Sequence, residues 1–98
     1  MTVQSVLHDR LLGMYRLTGY AQGHLDYVDV PSIKENGKVR IFTHTYIQPS
    51  FRGKGLANML AQFAIDDTTK RGMKFNPMCP FVKAYVKKHP ELEQHVYR

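Results

Sequence analysis

The segment Arg52-Gly53-Lys54-Gly55-Leu56-Ala57 sets two glycines beside a guanidinium and an ammonium. It follows a stretch that alternates like a strand, Val39 to Ile47, and precedes residues that recur at helical spacing: Leu56, Met59, Leu60, Phe63 and Ala64. The first N–H groups of a helix have no intrahelical partner, and the helix dipole adds partial positive charge there. Glycine removes the side chain that would hold a phosphate off the backbone, and Arg52 and Lys54 add full charges. Strand, basic glycine turn and helix start together form a seat for an anion. The bland alternative is a basic turn with a glycine-assisted helix start, and the coincidence of three features favours the anion.

Spacing narrows the choice of anion. A P-loop requires Gly-x-x-x-x-Gly-Lys-Ser/Thr, which is absent. A dinucleotide fingerprint requires a third glycine where Asn58 stands, and 98 residues leave no room for a full Rossmann repeat. His8, His24, His89 and His95 show no ligand spacing with a cysteine or carboxylate cluster, so no metal is expected. Asp66-Asp67 read as a solvated face late in the helix.

Several elements must position that turn. Met14 to Thr18 reads as a strand ending at Gly19, and Tyr20 to Val30 as a longer one. Pro31 and Glu35-Asn36-Gly37-Lys38 interrupt it, and Asn-Gly is a hairpin signal. In the third strand Val39, Ile41, Thr43, Thr45 and Ile47 fall on one face, with Arg40, Phe42, His44 and Tyr46 on the other. A helix from about Gly55 to Lys70 closes at Arg71-Gly72. Met73 to Pro77 is a short strand, Phe81, Val82, Tyr85 and Val86 mark a second helix ending near His89-Pro90, and residues 91–98 hold a last helical turn. The third strand, long helix and last strand form a β-α-β unit whose strands should run parallel. The expected class is α+β (mixed α/β): an antiparallel strand meander, then β-α-β-α, with helices packed on one twisted mixed sheet.

The totals fit one domain over residues 1–98. Hydrophobic residues make up 43% and charged ones 22%, which argues against general disorder. The net charge of +6 favours anionic partners without choosing among them. A lone cysteine, Cys79, allows no intramolecular disulfide and points to a reducing cytoplasm. No signal peptide and no membrane span are expected. Lys and Arg are scattered and no aromatic-basic motif appears, so nucleic acid is not the expected partner. The chain is expected to be a monomer or weak dimer.

Arg52, Gly55 and Ala57 match, position by position, the acetyl-coenzyme A signature Gln/Arg-x-x-Gly-x-Gly/Ala, so the segment resembles the GNAT superfamily. The resemblance extends to its small single-domain N-acetyltransferases through His44-Thr45, Cys79-Pro80-Phe81, Tyr85 and Lys87-Lys88-His89-Pro90-Glu91, over roughly residues 14 to 92. It implies a minimal GNAT-like fold and transfer of an acetyl group from acetyl-coenzyme A to an amine. Amides of Gly53, Lys54, Gly55, Leu56, Ala57 and Asn58 would bind the pyrophosphate. Main-chain groups near Tyr46 and Ile47 would pair with the pantetheine arm, and the thioester would lie near Cys79. Lys83, Lys87 and Lys88 are candidates for the 3′-phosphate or a solvated helix face.

Amide formation from a thioester needs a proton acceptor for the amine and donors for the developing charge. Cys79, ahead of Pro80 at a helix start, is the first candidate, as proton donor to the leaving thiolate or transient acyl carrier; its other reading is a small buried apolar residue. His44 is a candidate base or a structural hydrogen-bonding histidine. Tyr46 stands where relatives often carry Glu, so a carboxylate base is not carried over to that position. Tyr85 is a candidate donor to the leaving sulfur or a core residue. The alternatives to an enzyme are a coenzyme A-binding module without turnover and, less favoured, a basic nucleic-acid binder.

Overall fold

The computed structural model describes residues 4–34 and 37–97. Five strands, β1 (Val6–Asp9), β2 (Met14–Leu17), β3 (Gly23–Ser32), β4 (Gly37–Ile47) and β5 (Lys74–Pro77), form one sheet in sequence order. The first four pair antiparallel and β5 joins β4 in parallel, as a crossover connection requires. The crossover is α1 (Leu56–Lys70), which packs across all five strands. After β5 come α2 (Pro80–Lys88) and a 3-10 turn (Pro90–His95). The class is the mixed α+β one expected. Glu35 and Asn36 of the expected hairpin turn lie outside the described residues, and Ser32 pairs with Gly37 across it.

Two features differ from the sequence reading. β1 was not foreseen, although it pairs with all of β2 and carries His8. More consequential is a bulge in β4. Asp26 pairs with His44 and Tyr27 with Phe42, so Thr43 has no opposite number. One extra residue reverses the alternation of side chains. Val39 and Ile41 therefore do not share a face with Thr45 and Ile47. Arg40 and Phe42 share it instead, and the face that expectation called continuous is split at Thr43.

Core packing follows this corrected parity. Tyr15, Leu17, Leu25, Tyr27, Phe42 and Ile47 from the sheet meet Leu56, Leu60, Ala64 and Ile65 of α1 and Val82 and Val86 of α2 in one cluster. At one end of it Arg40 is buried, held by Asp29 through two bonds of 2.8 and 2.9 Å and donating to the Tyr15 hydroxyl at 2.7 Å. The opposite sheet face carries two rows in register: Leu7, Arg16, His24 and Tyr46, then Asp9, Met14, Asp26 and His44. Neither α1 nor α2 enters these rows, and Leu7 and His44 are exposed.

Candidate cofactor turn and active site

β4 runs past β5. The parallel pairing stops at Phe42–Pro77, and the Cys79 N–H then donates to the Phe42 carbonyl at 2.9 Å. From Thr43 to Ile47 the β5 side of β4 has no strand partner among the described residues. The Gln48 N–H donates to the Gln22 carbonyl at 2.8 Å. By the alternation of an antiparallel ladder, His24 and Tyr46 exchange main-chain bonds with each other, while Thr45 and Ile47 turn theirs outward. The free groups on this edge thus belong to Thr45 and Ile47, although Arg52 Nε occupies the Ile47 carbonyl at 2.9 Å. That bond ties the turn back onto the strand it leaves.

The turn is a 3-10 segment (Pro49–Phe51) followed by Arg52, Gly53, Lys54 and Gly55. Gly53 and Gly55 both adopt positive φ, 78° and 79°, where a side chain strains the backbone. A Cβ at either position would meet nothing within 4 Å, so the space over the turn is open. Gly55 is the N-cap of α1, and no side chain caps the helix. The first intrahelical bond runs from the Met59 N–H to the Gly55 carbonyl at 3.1 Å, leaving the amides of Leu56, Ala57 and Asn58 without an intrahelical partner. No acidic residue stands in the first turn. These amides and the free edge of β4 border a single hollow of about 370 Å³, lined by Thr45, Ile47, Phe51, the turn and Phe81. Its donors fit a diphosphate at the helix start and its edge fits an extended amide-bearing arm.

Cys79 is the N-cap of α2 with Pro80 behind it, as expected from the Cys-Pro pair. Cys79 is 3% exposed, and its thiol stands 3.0 Å from the hydroxyl of Thr45, which lines the hollow. Thr45 is a polar group that sequence reasoning used only as part of a motif; its partnership with Cys79 spans 34 residues and no local pattern shows it.

The structure places the other candidates apart. The side chains of His44 and Tyr46 lie on the helix-free face, with the His44 ring 6.3 Å from that of His24. Tyr85 is half-buried and stacks on His89 at 4.2 Å, and its hydroxyl is pushed up by burial, then by Asp66 and Glu91. Lys83 and Lys87 border a separate hollow with Asn76 and Tyr97. Lys54 and Lys88 are exposed.

One reading is overturned. Asp67 is not a solvated carboxylate: it accepts from Tyr15 at 2.7 Å and Arg71 at 3.0 Å and lies 3.2 Å from His8 Nδ1. Burial would raise its carboxyl, but the bonds from Arg71 and Tyr15 outweigh this and hold it below the ordinary value. Asp66, its neighbour, is exposed.

The sequence profile of the GCN5-related N-acetyl-transferase family matches residues 14–96. The chain belongs to that family. Protein NATD1 of Xenopus tropicalis is 29% identical over 91 residues, covering 93% of this chain and 67% of the frog protein. Protein NATD1 of Mus musculus is 34% identical over 55 residues, 56% of this chain and 49% of the mouse protein, and that of Homo sapiens is 34% identical over the same length. The chain thus spans about half the length of the mammalian relatives it matches. Within the GCN5-related family, the turn from Arg52 to Asn58 and the free edge of β4 both fall inside the matched region.

Proposed function

We propose that this GCN5-related N-acetyltransferase domain moves an acetyl group from acetyl-coenzyme A to an amine. One observation carries the reading: unpaired amides at the α1 start and the unpartnered edge of β4 open into the same hollow. A diphosphate on the amides of Leu56, Ala57 and Asn58 leaves its arm directed along Thr45 and Ile47. Arg52, fixed to the Ile47 carbonyl, holds the turn open, and Lys54 adds charge beside it.

Bound acetyl-coenzyme A supplies an activated thioester carbonyl. The amides of β4 orient the arm, so that its far end runs toward the bulge at Thr43 and the thiol of Cys79. Cys79 and Thr45 share one hydrogen bond, in which either can donate, so the pair keeps one polar hydrogen free to pass to the departing sulfur. Phe81 and Phe51 add apolar surface to the same hollow. The roles of Tyr85, Lys87 and Lys88 stand on the family resemblance alone. The lone Cys79 suits a reducing compartment, and the whole of residues 1–98 serves as one domain.

Calorimetric titration with acetyl-coenzyme A tests the reading. Wild type should bind one equivalent, and Gly55→Asp, which places a carboxylate over the amides in open space, should lose binding by at least tenfold while staying folded, its melting temperature lowered by no more than the strain of a side chain in a left-handed backbone. Equal affinity in both proteins refutes the seat. Binding without acetylated product from any primary amine would instead make the domain a coenzyme A carrier.

A further inference from the structure

The mechanism above leaves the helix-free face of the sheet unused, although it borders the same open edge of β4. Two neighbouring positions of β3 on that face, His24 and Asp26, form a pair: Nδ1 of His24 donates to Oδ1 of Asp26 at 2.7 Å. That bond fixes the tautomer and leaves Nε2 as the basic nitrogen. Nε2 makes no hydrogen bond within the described residues. Both side chains are about one-third exposed, wet enough to exchange protons and covered enough to hold one geometry. His24 lies opposite Tyr46, ring to ring at 5.4 Å, and 6.3 Å from the His44 ring. It is one strand spacing, about 5 Å, inside the free edge. The groups facing it are Arg16 from β2 and His44 and Tyr46 from β4, with Asp26 on its own strand.

We infer that this face is the acceptor's side, and that the His24–Asp26 pair is the proton acceptor for a primary alkylammonium. The inference rests on the acetyl-transfer reading. A carboxylate behind an imidazole, flanked by the Tyr46 ring, suits a cation with an apolar stem. The amine arrives as R–NH3⁺ and His24 Nε2 takes one proton. The freed lone pair makes the C–N bond to the thioester carbon while the C–S bond breaks. The departing sulfur keeps the electron pair of that bond and takes a proton from Cys79 or Thr45, which the nitrogen's second proton replaces, and His24 then releases its own to solvent. The products are the amide, a thiol and one proton.

His44, the candidate singled out from sequence, has no carboxylate partner among the described residues and stands at the rim of this site.

n-Butylamine serves as the probe. Coenzyme A binding is measured first by calorimetry and separates this inference from the reading beneath it. With coenzyme A bound, butylammonium should shift the His24 ring resonances saturably, and Asp26→Asn should weaken that response severalfold. In turnover, His24→Gln should lower kcat/KM for butylamine by about 100-fold with coenzyme A affinity unchanged. Asp26→Asn should lower kcat/KM for butylamine severalfold with coenzyme A affinity unchanged, and His44→Gln should stay within about threefold of wild type. The inference is overturned if His24→Gln keeps the wild-type rate and pH profile, if the protein binds coenzyme A but acetylates no butylamine, or if the amine leaves the His24 resonances unmoved. Loss of coenzyme A binding by wild type would sink the underlying reading, and the resonance shift alone would then decide whether an amine site exists.

Discussion

Cys79 and Thr45 are the pair where residue chemistry and position meet most closely. The thiol is buried, yet a hydroxyl 3.0 Å away and the neighbouring hollow keep it from being a plain apolar filler. Cys79→Ala should therefore lower acetyl transfer by about tenfold or more while coenzyme A affinity holds, read from steady-state rates beside calorimetry; an unchanged rate assigns the thiol to packing. His8 makes a second residue-scale prediction. Burial pushes its pKa below the ordinary 6.5, Arg40, Arg71 and Arg10 act the same way, and Asp67 opposes them. The unfolded chain then holds the proton more tightly than the folded one. The stability His8 contributes is complete above pH 6.5 and is lost as pH falls from there toward its lowered folded value. Melting temperature should decline between pH 7 and 5, and His8→Gln should flatten that slope. Asp67 adds its own loss at lower pH, as protons reach a carboxyl held below 3.8.

At the scale of elements, α1 and α2 were legible because their signals are local. Gly55 and Arg71-Gly72 bound the first helix, and Cys79-Pro80 starts the second. β1 was not, since four residues carry too little alternation until β2 lies beside them. The bulge at Thr43 was hidden for a related reason: β4 alternates perfectly as a string, and only its register against β3 shows that one residue is extra. The same long-range origin hid Asp67, whose partners Tyr15 and His8 are more than 50 residues away. The cradle's outline was readable from Arg52 to Asn58, whereas its second wall, Thr45 with Cys79, needed the fold. His24 and Asp26 are two apart on a strand and so share a face, but nothing local marks them as a pair. Gly53 and Gly55 yield the element-scale test. Alanine at either must hold a left-handed backbone, at a cost of about 1–2 kcal/mol, with no steric clash to add. Chemical denaturation should show that loss without a change in slope.

Across the whole molecule, the buried Arg40 joins four strands and α1 into one polar knot: Asp29 and Tyr27 on β3, Tyr15 on β2, and Asp67, which also meets His8 of β1. Asp29→Ala leaves that guanidinium without its bidentate partner. Removing one side of a fully buried pair costs about 3–5 kcal/mol, and the partial exposure of Asp29 brings the expected loss nearer 2 kcal/mol. In a domain of 98 residues this should lower the melting temperature by roughly 10 °C. The knot stands at the end of the sheet away from the glycine turn, so coenzyme A affinity should hold in that variant. On the proposed reading, the net charge of +6 serves the turn, where it would draw a polyphosphate toward a helix start whose first turn holds no acidic residue.

The central claim is that main-chain N–H groups at the start of α1 grip a diphosphate. Amide resonances recorded during titration with coenzyme A test it most directly. The account predicts that the largest displacements fall on Gly55, Leu56, Ala57 and Asn58, with smaller ones at Thr45 and Ile47. Displacements confined to Lys83, Lys87 and Tyr97, with the turn unmoved, would contradict it.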